Sequence, residues 1–466
     1  MKQRVHAHFI GVGGAGMSGI ARVLHQRGVS VSGSDLKESR YTRSLLEEGV
    51  PVAIGHDAGN LGNPEVVVVS TAIPDRNPEL EEARNRGLEV WPRAKMLAEA
   101  ASGLTTVAVA GTHGKTSTSA MVATMLAGMG LDPTFLVGGE VSDFGTNGRA
   151  GTGAYCVMEA DESDGSFMFL DPFVAVVTNV EAEHLDHYGT LDAVERQFVD
   201  FMAKVPDEGT LVLCADHARL LQLASSVTSR IVTYGCAEDA DVRYTRTGQE
   251  GATQHLRIDI PSGESVEVSV ALPGEHMASN SAAAIAVAVA LGLDAEEAAG
   301  ALSDFGGVKR RFDHIGTHAG VTVVDDYAHH PTEVRATVQA AHEAGFARVW
   351  VVFQPHRYTR TQALGPEFGS AFDDADRLVL MDVYSAGEPP IPGVTGKTVL
   401  EAVLDNNARA RVAYLPHRGD VAPFIAGRAR HGDLVMTMGA GDVTSMAPEI
   451  LRQLDARNSG RVTACP

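Results

Sequence analysis

Residues 105–118, reading TTVAVAGTHGKTST, hold side chains whose types and spacing fit one chemistry closely. Apolar and β-branched residues lead into Gly111, and Gly114-Lys115-Thr116 opens a stretch of helical composition. A strand, a glycine turn and a helix start in that order make a cradle for phosphate. The backbone N–H groups of the turn face the anion, Lys115 adds a mobile positive charge, and the Thr116 hydroxyl can ligate Mg²⁺. Gly111, Thr112, His113, Gly114, Lys115, Thr116 and Ser117 are therefore the candidate nucleotide contacts. The turn is shorter than the full P-loop pattern, which wants glycine where Val109 stands. Bare glycine turns are common between strands and helices; the Lys-Thr pair at the helix entrance favours a triphosphate site.

Two strand ends downstream supply acids. Strand 155–158 delivers Glu159-Ala160-Asp161-Glu162-Ser163-Asp164, and strand 173–178 delivers Asn179, then Glu181, Glu183 and His184. Hard oxygen ligands beside a phosphate loop are what Mg²⁺–ATP requires. Glu159 and His184 read as metal ligands, because each closes a strand of the sheet that carries Lys115. Asp161, Glu162 and Asp164 fit equally well as solvated loop acids.

These groups need a layered α/β frame. Residues 7–10 form a short strand before Gly11-Val12-Gly13-Gly14-Ala15-Gly16, and a second strand ends near Asp35. This is a dinucleotide-type fingerprint, with pyrophosphate on a helix N-terminus and Asp35 spaced for a ribose hydroxyl. Strand 66–70 leads into a turn at Ser70 and Thr71 that a ligand could reach. Residues 138–153 read as a glycine-rich loop, and 205–270 as antiparallel strands. His276 and Asn280 lie four apart at the start of an alanine-rich helix, hence on one face; a buried polar pair or a contact to adenine or ribose would explain them. Residues 306–311 read as a linker into a third α/β domain. Its strands end in polar groups: Asp326 and His329 in DDYAHHP, Arg357 and Arg360 in QPHRYTR, and Gly439 to Asp442. Open α/β sheets bind ligands at such ends.

With 466 residues the chain exceeds one core, and about three domains are expected. A net charge of −21 argues against nucleic acid and anionic membranes as partners. Four cysteines without Cys-x-x-Cys spacing read as thiols of a reducing compartment. No apolar leader opens the chain, and the alanine-rich run 281–293 is short for a bilayer span of about 20 residues. A cytoplasmic protein without membrane insertion is expected, with its oligomeric state open.

Three motif groups occur in order: GVGGAGMSGIA; GTHGKTST with EADESD and NVEAEHLDHY; and DDYAHHP with FQPHRYTRT. Together they closely resemble the Mur ligases of peptidoglycan synthesis, over essentially the whole chain from Gly11 to Gly441. The resemblance implies a three-domain α/β architecture: a Rossmann-like UDP-sugar domain (1–98), a P-loop-type ATPase domain (99–308) and a Rossmann-like amino-acid domain (309–466). It implies ATP-dependent ligation of L-alanine to the lactyl carboxylate of UDP-N-acetylmuramate through an acyl phosphate, with ATP and Mg²⁺ required. It places Gly13, Gly14, Ala15, Gly16, Asp35, Ser70 and Thr71 on the UDP-sugar. It assigns one magnesium to Thr116 and Glu159 and a second to His184, and gives ATP further contacts from His276, Asn280, Arg311 and Asp326. His329, Arg357 and Arg360 match positions near the incoming amino acid, where an arginine would grip its carboxylate. In one respect the chain departs from several related ligases, which carry a carbamylated lysine about fifteen residues beyond the metal-binding histidine. Residues 195–200 contain no lysine here and the next is Lys204, leaving Glu181, Glu183 or water for the second metal. Rival readings are a ligase recycling cell-wall peptides onto the same sugar nucleotide, a dehydrogenase or regulatory NTPase with NAD on Gly11 to Gly16, and a non-enzymatic nucleotide switch.

Overall fold

Apolar runs punctuated by glycine turns and amphipathic helices build three sheets. The structure is a computed structural model and describes residues 5–458; Cys465 lies outside them. The first sheet comprises β1 (His6–Ile10), β2 (Ser30–Asp35), β3 (Val52–Ile54), β4 (Val66–Val69) and β5 (Glu89–Pro92). Its order is β3-β2-β1-β4-β5, and every pairing is parallel. The helices α1 (Ala15–Gln26), α2 (Arg40–Glu47), α3 (Pro78–Asn85) and α4 (Arg93–Ala100) accompany it. Strand order reverses between β1 and β4, which is where such a sheet opens a crevice at its carboxyl edge. The turns at Gly11 and at Ser70-Thr71 follow those two strands.

The second sheet has ten strands. These are β6 (Thr105–Ala110), β7 (Thr134–Val141), β8 (Thr146–Arg149), β9 (Tyr155–Glu159), β10 (Val174–Val177), β11 (Thr210–Cys214), β12 (Arg230–Gly235), β13 (Val242–Glu250), β14 (Thr253–Asp259) and β15 (Ser265–Val270). Their order is β15-β14-β13-β12-β11-β10-β6-β9-β7-β8. β6 lies between β9 and β10, with Val109 opposite Glu159 and Ala110 opposite Val177. The phosphate turn that leaves β6 is thus flanked by the two strand ends that emit the acids. The helix after it, α5 (Lys115–Gly128), is buried from Thr116 to Leu126, as a helix must be when its whole circumference is small or apolar.

Two expectations are corrected. Residues 138–153 are not a plain loop: β7 and β8 pair antiparallel, Phe135 opposite Arg149. Nor is 205–270 antiparallel throughout, since β10–β11, β11–β12 and the start of β13 on β12 are parallel. Valine- and leucine-rich runs such as TLVLC are buried on both faces, the mark of parallel strands.

The first two sheets share a compact unit, residues 1–245, 256–269 and 279–306; residues 246–255, 270–278 and 307–466 form a second. Within the first unit the β7–β8 hairpin is tied to α1. Arg22, nearly buried, donates through Nε to Glu48, through Nη1 to Thr146 and Asn147, and through Nη2 to Ser44. Asn147 Nδ2 donates to the Ala15 carbonyl at 2.5 Å, and Arg27 donates to Thr134 at 2.9 Å.

The second unit carries β16 (Asp313–His318), β17 (Val321–Asp326), β18 (Arg348–Phe353), β19 (Arg377–Leu380), β20 (Val412–Tyr414) and β21 (Asp433–Met438). Their order is β16-β17-β21-β18-β19-β20, parallel except for the β16 edge. Among the described residues no helix is long and apolar enough to cross a membrane.

Candidate active site

The phosphate turn is braced from the β10 end. Asn179 accepts the His113 N–H on its side-chain oxygen at 2.9 Å, and its backbone carbonyl accepts the Thr112 N–H at 3.1 Å. The Thr178 hydroxyl donates to the His113 carbonyl at 2.5 Å, and the Thr112 hydroxyl accepts the Glu181 N–H at 2.9 Å. Gly111 has φ +126, and a Cβ there would lie 2.1 Å from Thr178 Oγ1, so only glycine permits this closure. Asn280 approaches the turn as well: a Cβ on Gly114 would meet its Oδ1 at 2.9 Å. Thr178 escaped the sequence reading, since a threonine closing a strand carries no flag of its own.

Lys115 Nζ donates to the Gly111 and Thr112 carbonyls and, at 2.8 Å, to Glu162 Oε1. Burial alone would lower the lysine pKa; the charges of Glu162 and Asp161 outweigh it and the net shift is upward. Glu159 sits across the turn. Its carboxylate accepts the Gly138 N–H at 2.8 Å and is hydrogen-bonded to Thr116. Burial raises its pKa despite Lys115 nearby. His184 begins a short helix with a left-handed backbone, φ +56, and its Nε2 lies 3.6 Å from Glu162 Oε1 and 4.0 Å from Glu183. Burial pulls the imidazole pKa down, but the bond to Glu162 and the charge of Glu183 more than offset it. Lys115, Thr116, Glu159 and His184 are thus gathered beyond the carboxyl ends of β6, β9 and β10. Glu162, equally well read as a solvated acid, is only 1% exposed and belongs with them. One hydroxyl and two carboxylates offer the hard oxygen donors that Mg²⁺ accepts, with an imidazole nitrogen beside them.

The lysine-free region 195–200 lies apart. Glu195 is gripped by Arg219 through two bonds of 2.8 and 2.5 Å, and Lys204 is held by the Met168 carbonyl and Asp171. Neither is directed to the phosphate turn.

In the first sheet, Asp35 Oδ2 accepts the Gly13 N–H at 2.9 Å, and Gly11 and Val12 donate to the Ser34 carbonyl. Asp35 therefore shapes the glycine turn itself, beside Gly14, Ala15 and Gly16 at the start of α1. Beneath it lies a network that sequence reasoning missed. The fully buried Glu79 accepts Ser34 Oγ at 2.6 Å, Asn60 at 2.9 Å and the Asp57 N–H at 3.2 Å, and its Oε2 lies 2.9 Å from His8 Nε2. Burial works against the charge, yet these bonds and His8 bring the Glu79 pKa down to about 2. His8, in the β1 sequence HAHFI, was the available signal.

In the second unit His329, His356, Arg357 and Arg360 come together. The His329 and His356 rings meet edge-on at 5.8 Å, and Arg360 Nη1 lies 3.3 Å from His356 Nδ1. Burial, then His329, Arg360 and Arg357, push the His356 pKa down to about 4. Arg357 has φ +68, and its Nε donates to Glu388 at 2.5 Å. Tyr384 stacks on His356 at 5.7 Å. Glu388, in a proline-bounded loop, had no sequence signal. Asp326 is anchored by the Phe312 and Ala328 N–H groups, and burial raises its pKa to about 6. Arg311 lies over the Tyr327 ring at 5.2 Å. Burial, and then Arg311, hold His276 neutral with a pKa near 4.

Family comparisons agree with this layout. The chain matches the Mur ligase family catalytic domain over residues 6–105, the Mur ligase middle domain over 109–288, and the Mur ligase glutamate ligase domain over 310–441. It is 48% identical over 454 residues to the UDP-N-acetylmuramate–L-alanine ligase of Anaeromyxobacter sp. (strain Fw109-5), covering 96% of this chain and 98% of that protein. The same enzyme of Anaeromyxobacter dehalogenans (strain 2CP-C) is 49% identical over 451 residues, 96% and 97% covered. Among solved structures, UDP-N-acetylmuramate–alanine ligase from Thermotoga maritima aligns with a TM-score of 0.81 at 27% identity, over 97% of this chain and 100% of that one. A murein peptide ligase from Psychrobacter arcticus 273-4 aligns at 0.73 and 25% identity, over 99% and 100%. With all three domains matched in order and near-half identity over almost its full length, the chain belongs to the Mur ligase family.

Proposed function

We infer that this protein is an ATP-dependent ligase joining L-alanine to the lactyl carboxylate of UDP-N-acetylmuramate, in the cytoplasm, for peptidoglycan precursor synthesis. The observation that carries the reading is the braced turn at Lys115, facing Glu159, Glu162 and His184, in a chain similar to alanine ligases over 96% of its length. Residues 1–98 take the sugar nucleotide, 99–308 the ATP and 309–466 the amino acid.

Attack of a carboxylate on a triphosphate brings anion to anion, so positive charge has to be in place beforehand. Lys115 is kept protonated by Glu162 and Asp161 and is available to the β- and γ-phosphates. Thr116 and Glu159 would hold Mg²⁺, with His184 at a second position; the ion supplies charge neutralisation at the transferring phosphoryl group. Turn N–H groups at the start of α5 bind phosphate oxygens. Gly13 to Gly16 seat the pyrophosphate of the sugar nucleotide, with Ser70 and Thr71 across the crevice. The acyl phosphate then meets the amine of L-alanine, whose carboxylate Arg357 and Arg360 would fix beside His329. Asn280, His276, Arg311 and Asp326 serve ATP. No side-chain nucleophile is needed.

The test is phosphate release from Mg²⁺–ATP with UDP-N-acetylmuramate, with and without L-alanine. Release requiring both, with a product heavier by one alanyl residue, is expected. Release that appears only with a peptide would favour the recycling ligase, which the Psychrobacter likeness keeps as the second reading.

A further inference from the structure

Arg93 opens α4 where β5 ends, on the same carboxyl edge of the first sheet as the turns after β1 and β4. Its guanidinium reaches two places far apart in the chain. Toward the glycine turn it lies against Gly16, where a Cβ would stand 2.8 Å from Nη1 and 3.5 Å from Cδ. Toward the phosphate turn of β6, its Nη2 lies 3.6 Å from Asp161 Oδ2. Gly13, in the same glycine turn as Gly16, faces Asp35 instead and donates its N–H to that carboxylate. The turn therefore carries an acid on one flank and Arg93 on the other, in a chain of net charge −21. A pyrophosphate set there on N–H groups alone would meet the field of Asp35 uncompensated; a local cation offsets it.

The pair with Asp161 is loose. At 3.6 Å, with the two side chains 25% and 38% exposed, it contributes little to stability. Asp161 also keeps other support when Arg93 leaves. Burial opposes its charge, but Lys115 and the Ser163 N–H, 3.1 Å away, hold its pKa down together with Arg93. A guanidinium meets phosphate through two parallel N–H bonds, stronger and better directed than such a pair. Exchange of the carboxylate for a phosphate beside Gly16 is thus favourable, and it takes only a small rotation of a side chain already in place.

We propose that Arg93 binds the pyrophosphate of the sugar nucleotide, and that Asp161 competes with the pyrophosphate for it. One side chain thereby joins the sugar-nucleotide turn to the acid loop that flanks Lys115. This rests on the reading of residues 13–16 as the sugar-nucleotide turn of a ligase.

The experiment is isothermal titration of the full-length protein, without ATP, by UDP-N-acetylmuramate and separately by UDP. Arg93→Gln should weaken both ligands by about tenfold or more, because a phosphate loses a charged, two-pronged partner. Asp161→Asn should tighten both by about threefold, the reverse of what loss of a structural ion pair would do. On the Arg93→Gln background Asp161→Asn should have no effect, and Asp164→Asn, in the same loop, should stay within about twofold of wild type. Unchanged or weaker binding in Asp161→Asn overturns the proposal. So does tightening that survives on the Arg93→Gln background, which would mark a general effect of removing negative charge. A loss in Arg93→Gln confined to UDP-N-acetylmuramate, with UDP unaffected, would overturn it in favour of the lactyl carboxylate. If Arg93→Gln does not fold, Arg93→Lys, which keeps the charge without the fork, replaces it and should weaken both ligands by about threefold. The full set of shifts in a protein that fails to ligate L-alanine would sink the ligase reading and leave the arginine assignment standing; an active ligase without the shifts would do the reverse.

Discussion

Replacing Glu79 by glutamine removes one charge from a network that supports the glycine turn from below. The pKa of Glu79 moves from 4.5 to about 2 on folding. At about 1.4 kcal/mol per unit, the ionised form contributes about 3 kcal/mol. Because the folded pKa is depressed, that contribution is complete above pH 4.5 and is lost only as pH falls from 4.5 through 2. The gap between wild type and Glu79→Gln should therefore be constant from pH 8 to pH 5. Its location matters as much as its size. Ser34 donates to Glu79 through its hydroxyl while its carbonyl receives Gly11 and Val12, so β1, β2 and the fingerprint turn should loosen together. Hydrogen-exchange mass spectrometry at pH 7 reads this directly, with protection in β1, β2 and β4 falling by roughly two orders of magnitude. The KM for the sugar nucleotide should rise while that for ATP holds. A gap under about 1 kcal/mol, or a protection loss spread equally over β6 to β12, would refute the assignment.

Other expectations follow from individual contacts. Gly138→Ala places a Cβ 2.6 Å from Glu159 Oε1 and disturbs a charge-assisted bond worth about 1.5–3 kcal/mol; half-saturation by Mg²⁺ should rise roughly tenfold, and an unchanged requirement would count against Glu159 as a ligand. Arg357→Ala should raise the KM for L-alanine by about tenfold or more and leave sugar-nucleotide binding intact, as isothermal titration with UDP-N-acetylmuramate would report. Glu195→Ala should leave the Mg²⁺ dependence untouched, since its partner is Arg219; a shifted metal titration would bring the lysine-free region back into the site. His276 is held neutral, with a folded pKa near 4 against 6.5 in the open chain. It contributes fully above pH 6.5 and withdraws up to about 3 kcal/mol as pH falls through 4; melting temperatures of wild type and His276→Asn should converge between pH 7 and pH 5, and parallel curves would contradict this.

Much of the site was legible because its chemistry is local. The Lys115 turn and Glu159 sit at strand ends, which period and glycine spacing mark without any tertiary knowledge; His184, expected to close a strand, instead starts a short helix seven residues beyond the end of β10. What stayed hidden depends on long-range contact. Glu162 looks like its neighbours Asp161 and Asp164 in sequence; only the side-by-side arrangement of β9, β6 and β10 buries it and leaves the others half-buried. Glu79 was invisible because its partners His8, Ser34 and Asn60 are 71, 45 and 19 residues away. The β7–β8 hairpin was misread as a loop because its glycines, which signal turns, here serve close approach: Gly138 to Glu159 and Gly148 to the Gly19 backbone. Parallel pairing of β11 and β12 was missed because short apolar runs do not declare their direction.

The anchoring of Arg22 to Thr146 and Asn147, and of Asn147 to the Ala15 carbonyl, bears on modularity. A cut near residue 98 looks clean along the chain, yet it would strip a buried guanidinium of two acceptors and expose the flank of α1. The first hundred residues form their own sheet but share these buried hydrogen bonds with the β7–β8 hairpin that follows them. Grafting a different sugar-nucleotide head onto this ligase would require the hairpin to travel with it, or Arg22 and Asn147 to be matched in the donor.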